Sequence, residues 1–469
     1  MSAALPGSFT LLENFGHSLK TPAYVSKPES AEAIAAAFRY ARSSGLTLTP
    51  RGAGRSYNDA AMNGGGIVLD LQRMNRILDW DPVMGIIRVE PGVTLRDLWE
   101  KVLPDGWWPP VVSGTMTTTL GGCLAANIHG KNNYRMGTIG EHVLEFDALL
   151  PTGAELTCAP AVNGDLFRAM IGGLGMLGVF TSIQLQMKKV HSGLLAVRAW
   201  NVTNLDTHLD DLGDAAREHN YAVGWLDPVA NGKALGRGQL HTADYLAEGE
   251  DPQADRTLHV AYQTLPANLF GVVPKSLIHY FMAPFMNNPG AWGINTAKYH
   301  LGGRSKVYRQ SHAAFHFLLD YVPDWERAYG QLIQYQSFLP DATARAAWTA
   351  MLRLSQRRAL PSYLGVTKRH RRDAFLLSHG VDGYSLALDF KVSASNRGRL
   401  AKMLADFDRI VLEAGGRFYF AKNSETSAET TARFLGAEAV AKYRAMKKRC
   451  DPDNLLCSDL FRRLFGNTP

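Results

Sequence analysis

The sequence predicts an α+β protein of two domains. An N-terminal α+β domain precedes one built on a large, mostly antiparallel sheet, and the chain then returns to the first. Three observations predict this. A chain of 469 residues is longer than a single core of ordinary size requires. Short strand-like runs alternate with capped helices up to about residue 191. Beyond it come alternating runs at Leu195 to Trp200, Leu258 to Thr264 and Tyr384 to Val392, with helices between them. The expected divisions are 1–191, 192–414 and 415–469.

Each element has a local cause. Ser30 caps a helix from Ala31 to Ser44 that sets Ile34, Phe38 and Ala41 on one face and stops at Gly45. Leu46-Thr47-Leu48 reads as a short strand into Pro50, and Ile67 to Leu71 and Gly85 to Val89 as two more. A second helix starts at Thr94, with Asp97 as its capping-box partner, and buries Leu95, Leu98, Trp99 and Val102. Strands follow at Val143 to Leu150 and Val179 to Met187. In the second domain Ala342 to Arg357 reads as a helix. Asn396 to Glu413 carries Leu400, Met403, Leu404, Phe407, Ile410 and Val411 at helical spacing before Gly415-Gly416 ends it. Arg417-Phe418-Tyr419-Phe420-Ala421 reads as an aromatic strand with Lys422 at its end, where a desolvated ammonium can hold an oxyanion or the negative charge of a reduced cofactor.

Three segments are stripped of bulky side chains. They are Pro50-Arg51-Gly52-Ala53-Gly54-Arg55-Ser56-Tyr57-Asn58-Asp59, then Gly114-Thr115 with Thr119-Leu120-Gly121-Gly122, then Gly172-Gly173-Leu174-Gly175-Met176-Leu177-Gly178. Turns of this kind bring bare backbone N–H groups against an anion, and Arg51 or Arg55 can add charge. One such turn needs no ligand, but three together point to one large, phosphate-containing ligand. A Rossmann fingerprint opens a helix; here the first loop leads instead to Ala60-Ala61-Met62-Asn63, a Gly64-Gly65-Gly66 turn and a strand. No helix is expected on that loop.

Composition narrows the class. Hydrophobic residues at 46% and charged residues at 20% are ordinary for a globular protein. The net charge of +7 fits an acidic substrate, a phosphate-bearing cofactor or an anionic membrane surface. Nucleic acid is not expected, because His370-Arg371-Arg372 and Lys447-Lys448-Arg449 are short and no basic stripe joins them. Cys123, Cys158, Cys450 and Cys457 lack CxxC spacing, so neither a disulfide framework nor a metal site is expected. Met1 to Gly16 lacks the pattern of a signal peptide, and no apolar run approaches 20 residues. The expectation is a cytoplasmic protein, soluble or peripheral at the inner face of the membrane.

Leu269 to Trp292 is unusually apolar, with Phe270, Val272, Val273, Leu277, Ile278, Tyr280, Phe281, Met282, Phe285 and Met286. Pro274, Pro284 and Pro289 exclude a single helix. Two readings stand: a domain-packing segment, or an apolar flap that holds a lipid tail or rests on a bilayer, with Lys275 and His279 at its edge.

Asn127-Ile128-His129-Gly130-Lys131-Asn132 sets an imidazole and an ammonium two residues apart, which in a strand would share a face. Gln334-Tyr335-Gln336 and Trp225 read as strand residues able to line a cavity. His316, between Phe315 and Phe317, reads as a core histidine. Hydrolase triads, HExxH and the P-loop pattern are absent.

On these residues the chain resembles the flavoprotein oxidases of the vanillyl-alcohol oxidase type over nearly its whole length. The likeness rests on Arg51 to Tyr57, Asn127 to Asn132, Gln334 to Gln336 and Gly415 to Lys422. Trp325-Glu326-Arg327-Ala328-Tyr329-Gly330 and Ser458-Asp459-Leu460-Phe461-Arg462-Arg463-Leu464 add to it. Within that family the segments are most similar to those of members that oxidise a lipid-linked ribose. The resemblance implies an FAD-binding domain of two α+β subdomains. FAD would be held by Arg51, Gly52, Ala53, Gly54, Arg55, Ser56, Tyr57, Gly114, Thr115, Thr119, Leu120, Gly121, Gly122, Ala126, Asn127 and His129, with Phe180 and Tyr419 joining them. Many relatives attach the flavin through a histidine of the first loop; this loop has none, which implies noncovalent FAD. The substrate pocket implied by the resemblance comprises Tyr57, His129, Lys131, Trp225, Gln336, Lys368 and Lys422, with Lys422, His129 and Tyr57 at the chemistry. His316 falls where the family has a pocket tyrosine. Ala387 falls where it has a cysteine that covalent inhibitors attack, so thiol-directed inhibition is not expected here.

The implied reaction takes a hydride from a secondary alcohol carbon, the C2 of a polyprenyl-phosphoryl ribose, to the flavin. A reductase of the short-chain type would act on the ketone, and oxygen or a quinone would accept the electrons. Lys131 and Lys368 would hold the phosphate and the apolar flap the tail. Three other readings are an FAD oxidase of free alditols or sugar lactones, a flavin-dependent reductase of a lipid double bond, and a lipid-binding flavoprotein without turnover.

Overall fold

The first helix, Ala31–Ser44, begins where the Ser30 hydroxyl accepts the Ala33 N–H and ends at Gly45, whose φ of 66° favours a residue without a Cβ. It buries Ile34, Ala37, Phe38 and Ala41 in one core with Leu48, Ile67 and Leu69. The computed structural model describes residues 7–269, 273–302 and 305–466. The strands against this helix are β1 (Ser8–Glu13), β2 (Lys20–Ser26), β3 (Leu48–Arg51) and β4 (Ile67–Asp70), in the order β1-β2-β4-β3. Both β2 and β3 run parallel to β4, which is buried along its whole length, as a parallel central strand must be.

A second sheet is antiparallel. It comprises β5 (Ile77–Asp81), β6 (Ile86–Val89), β8 (Val143–Leu149), β9 (Glu155–Cys158) and β10 (Val179–Gln186), in the order β5-β6-β10-β8-β9. A small ribbon pairs β7 (Trp107–Trp108) with β11 (Lys188–Lys189). The helix Leu95–Val102 carries the expected Thr94–Asp97 capping box and buries the four expected side chains.

The third sheet has eight strands. These are β12 (Leu194–Val202), β13 (Tyr221–Leu226), β14 (Gly238–Tyr245), β17 (Lys306–Ser311), β18 (Leu332–Pro340), β19 (Leu364–His370), β20 (Gly383–Lys391) and β21 (Arg417–Phe418). Their order is β17-β12-β14-β13-β19-β20-β18-β21, antiparallel throughout. A short hairpin of β15 (Asn268–Leu269) and β16 (Val273–Pro274) interrupts the sequence between β14 and β17. The helices Leu205–Glu218, Asp341–Arg357 and Arg397–Glu413 bury Leu212, Trp348, Met351, Met403 and Phe407 against one face of the sheet. The fold is thus α+β, as expected.

Three local expectations are corrected. Leu258 to Thr264 is not a strand but a helix end followed by a 3₁₀ turn, Val260–Gln263. Its alternation is short, and the buried Gln263 amide instead donates to the carbonyls of Gly193 (2.8 Å) and Thr257 (3.1 Å). The aromatic strand before Lys422 is only two residues long, because the Lys422 N–H bonds to the Tyr419 carbonyl and closes a turn. Leu269 to Trp292 breaks into turns and short helices, of which Ile278–Met282 is the longest before Asn288–Leu301 begins. Phe270 and Val272 lie outside the described residues. The segment mixes both readings: Ile278 and Met286 are buried, whereas Tyr280, Phe281, Phe285 and Trp292 are more than half exposed.

The last helices, Ala428–Leu435, Ala437–Cys450 and Asp459–Phe465, pack back on the first domain. Lys447 anchors them. Its ammonium, 1% exposed, pairs with Asp451 and donates to the carbonyls of Met176 (2.9 Å) and Leu456 (2.6 Å). Asp451 accepts the N–H groups of Leu455 (2.8 Å) and Leu456 (2.7 Å), which lays that stretch beside β3. Removing one partner of such a pair leaves a buried charge unanswered. Asp451→Ala is expected to cost about 3–5 kcal/mol of stability in denaturant unfolding, and apolar replacement of both Lys447 and Asp451 distinctly less.

Candidate active site

The face of the large sheet away from its helices is the floor of a cavity of about 310 Å³. Side chains two apart on a strand share a face, so β20 presents Ser385, Ala387 and Asp389 together. The antiparallel register sets Gln334 and Leu364 on either side of Asp389, Gln336 and Val366 on either side of Ala387, and Lys368 beside Ser385. All of these line the cavity.

The roof is the first glycine loop, which leaves β3 at Arg51. A Cβ on Gly52 would lie 1.9 Å from Thr119 Oγ1, and Gly54 sits at φ 65° over the Arg51 guanidinium. The first loop therefore packs directly on the Thr119 side chain of the second segment, with room for no Cβ at Gly52. Arg51 supports the loop from behind by donating to the carbonyls of Ala61 (3.0 Å) and Glu13 (3.2 Å), while Arg55 lines the cavity. The loop is sewn to the C-terminal turn. Tyr57 N–H donates to the Ala421 carbonyl (3.0 Å), and the Asn58 amide donates to the carbonyls of Phe420 and Asn423. This places the Lys422 ammonium 3.8 Å from the centre of the Tyr57 ring.

Charge in the cavity is lopsided. Burial holds Lys422 down to about 7, Lys131 down to about 7 and Lys368 down to about 8, all from an ordinary 10.5. Lys368 adds repulsion at Lys131 and at Lys422, while Asp389 partly offsets the effect at Lys422. His129 is pushed well below its ordinary range by burial and then by Lys368, so its ring is neutral. Lys368 Nζ donates to His129 Nδ1 (3.3 Å), which leaves the ring proton on Nε2 facing the Gln336 amide at 3.2 Å. The amide must then present its oxygen there. Lys131 donates to the Phe315 carbonyl and lies 4.3 Å from that ring's centre. Against these cations stands one carboxylate among the described lining residues, Asp389, raised by burial to about 6. Gln334 Nε2 donates to its Oδ1 at 2.6 Å, while its Oδ2 is buried without a partner.

The fold brings most of the expected site residues together. Gly52, Ala53, Gly54, Arg55, Ser56, Tyr57, Gly114, Thr115, Thr119, Gly122, Ala126, His129, Lys131, His316, Gln336, Lys368, Tyr419 and Lys422 all line this one cavity. Arg51, Leu120, Gly121, Asn127, Phe180 and Trp225 are not among the lining residues. Phe180 packs edge-on against Phe146, and Trp225 lies under the Lys298 ammonium. His129 and Lys131 do not share a strand face; they sit in a bridge and a turn, and tertiary folding aims both inward. A short helix, Leu120–Ala125, opens on the second glycine segment although none opens on the first. The third glycine cluster contributes only Leu174 to the lining. Its glycines serve close packing instead, since a Cβ on Gly175 would meet Pro50 Cγ at 2.5 Å. His316 is buried, stacks on Trp108 and keeps an unpartnered Nε2, so it is not the satisfied core histidine its neighbours imply. Asp389 and Ser385 were missed; their spacing of two from Ala387 was the available signal. Ala387 lines the cavity as expected, but Cys123 also does, its thiol pushed up to about 12 by burial and so unreactive.

The site suits a flavin dinucleotide. Two glycine-bearing segments expose main chain, Thr119 Oγ1 is buried without a partner, and three lysines face one carboxylate among the described lining residues. Comparison with known proteins agrees. Residues 22–159 match the family model described as an FAD binding domain. Over 98% of both chains, the sequence is 31% identical to the decaprenylphosphoryl-β-D-ribose oxidase of Mycolicibacterium smegmatis. It is 29% identical to an uncharacterized protein of Streptomyces coelicolor, over 79% of this chain and all of that one. A D-lactate dehydrogenase of Anaerostipes hadrus is 28% identical over 35% of this chain and 36% of its own.

The three lysines bind more protons unfolded than folded between about pH 7 and pH 10, so stability of the cofactor-free protein rises with pH through that window and falls as pH drops through it. Denaturant unfolding at about pH 6 and about pH 9 is expected to show this slope, and Lys131→Met and Lys368→Met each to flatten it.

Proposed function

Since the chain belongs to the family of FAD-linked oxidoreductases that includes decaprenylphosphoryl-β-D-ribose oxidase, we propose that it oxidises a secondary alcohol on a phosphorylated, lipid-linked sugar. The alcohol is C2 of the ribose of a polyprenyl-phosphoryl ribose, and the product is the corresponding ketone. One observation carries this reading: the cavity has two cationic ends on one floor. Lys422 lies over Tyr57, in reach of the field of Asp389; Lys368 stands beside Ser385, whose backbone is four residues, or roughly 13 Å, along β20 from that of Asp389. An anionic group anchored by Lys368 and Lys131 leaves the sugar between the poles.

Bound FAD supplies the two-electron acceptor; the protein supplies everything else. The Lys422 ammonium stabilises negative charge as it develops on the substrate oxygen, where no water competes. The Tyr57 ring faces that ammonium at 3.8 Å. Neutral His129, oriented by Lys368, offers its Nε2–H side to the floor. The first loop, residues 52–57, has no histidine, which supports noncovalent FAD. A ketone product calls for a partner reductase, and reoxidation calls for oxygen or a quinone.

The apolar flap supports a peripheral position on a membrane. Tyr280, Phe281, Phe285 and Trp292 are exposed together with Leu301 and Val307. Residues 256–319 hold Arg256, Lys275, Lys298, Arg304, Lys306 and Arg309 but no Asp or Glu, a charge pattern suited to anionic lipid. Among the described residues no helix is long and apolar enough to cross a membrane.

Anaerobic addition of a polyprenyl-phosphoryl ribose is expected to bleach the flavin, with no bleaching by free polyols or NAD(P)H. Bleaching by polyols would favour an alditol oxidase, and by NAD(P)H a reductase. Acid precipitation is expected to release the yellow colour, and Lys422→Met to slow bleaching by about 10²–10³-fold. Sedimentation with phosphatidylglycerol vesicles is expected to carry the protein down in a salt-sensitive way, and Phe281→Ser with Trp292→Ser to weaken this about tenfold or more.

A further inference from the structure

Asp389 has no role in the reading above, yet its placement is unlike that of a structural carboxylate. It is 1% exposed and lines the cavity at the Lys422 end. A buried carboxylate kept for structure has both oxygens answered, because an unmet lone pair in low dielectric is costly. Here only Oδ1 is met, by Gln334, and Oδ2 is bare. The groups around it are known from each side. Lys422 faces it from the C-terminal turn and Tyr57 from the glycine loop. Tyr329 faces it from the turn Trp325–Tyr329, and Gln334 from β18. Of these only Lys422 carries positive charge.

We propose that Asp389 is the general base of the site, its carboxylate receiving the hydroxyl proton of the bound sugar while Lys422 holds the oxygen. This rests on the alcohol-oxidation reading. In the step the substrate O–H bond breaks and its proton passes to the Asp389 carboxylate. The adjacent C–H bond breaks as its hydrogen leaves with both electrons for the oxidised flavin, and the carbon–oxygen double bond forms. The alcohol is oxidised by two electrons and the flavin reduced by two.

The other titratable groups are less suited. His129 is engaged at both ring nitrogens. The Tyr57 hydroxyl is raised well above its ordinary range by burial and then by Asp389, so it is a poor acceptor when protonated and is not ionised near neutrality. Lys368 stands beside Ser385, four residues along β20, and Lys131 is held by the Phe315 carbonyl. Burial raises Asp389 to about 6 and lowers Lys422 to about 7, which brings an acceptor and a cationic neighbour close to the working pH. A base of this kind contributes about 10²–10⁴ in rate.

The test is Asp389→Asn, which keeps an oxygen for the Gln334 donor. Bleaching by the alcohol that reduces the wild-type holoenzyme is expected to slow by about 10²–10⁴-fold, with FAD retention and circular dichroism unchanged. The wild-type rate is expected to fall as pH drops through about 6, and the variant to lack that limb. In cofactor-free protein, infrared difference spectra are expected to show a carboxyl titrating near pH 6 that the variant lacks. A variant rate within about threefold of wild type, a surviving acid limb, or no such carboxyl overturns the proposal. Should the variant not fold, Gln334→Leu decides, because losing the donor to Oδ1 moves the limb to higher pH if Asp389 is the base and leaves it in place if not. If a polyprenyl-phosphoryl ribose fails to bleach the wild type, the substrate reading fails by itself, and the comparison runs with whichever alcohol succeeds.

Discussion

The constraint on which the site depends is the seam between the first glycine loop and the turn that carries Lys422. The two lie more than 360 residues apart, yet Tyr57 and Asn58 bond to the backbone of residues 420–423. Those bonds run to main chain, and the Asn423 amide oxygen adds a tie to the sheet by accepting the Gln336 N–H (3.0 Å). Lys422 is thereby fixed over the Tyr57 ring rather than waving from a strand end. Behind the seam, Lys447 and Asp451 lock the C-terminal helices to the third glycine cluster and to β3. The N-terminal domain is therefore complete only when the last fifty or so residues have returned to it.

The second theme is electrostatic. Three half-buried lysines whose ammonium groups sit in protein, with one carboxylate among them, form an arrangement that resists being left alone. Each lysine is held closer to its neutral form than water would allow. An anionic ligand relieves that tension, so the mutual repulsion of the lysines becomes selectivity for negative charge. The neutrality of His129 has the same origin: buried, and surrounded by Lys368, His370, His379 and Lys422, its ring does not take a second proton.

The departures from the family pattern gain meaning from the floor. Ala387 sits between Gln336 and Val366, and its small side chain leaves the middle of the cavity floor low. His316 reaches the cavity from beside Trp108 with a free ring nitrogen, a polar contact on a wall that Leu318 and Leu319 otherwise make apolar.

What the sequence determined by itself was whatever local chemistry dictates. Ser30 and Gly45 bounded a helix, Thr94 and Asp97 began another, and Gly52 and Gly54 marked a backbone that must approach a partner closely. Lys422, His129 and Gln336 were legible as chemistry without a location. Register and return of the chain decided the rest. Asp389 became a site residue only because β18 and β19 flank β20 in one particular alignment, and Gly172 to Gly178 became packing rather than ligand contact because Pro50 lay against it. A strand's alternation says which residues share a face, but which face meets a cofactor is set by what packs on the other, and that is a property of the whole chain.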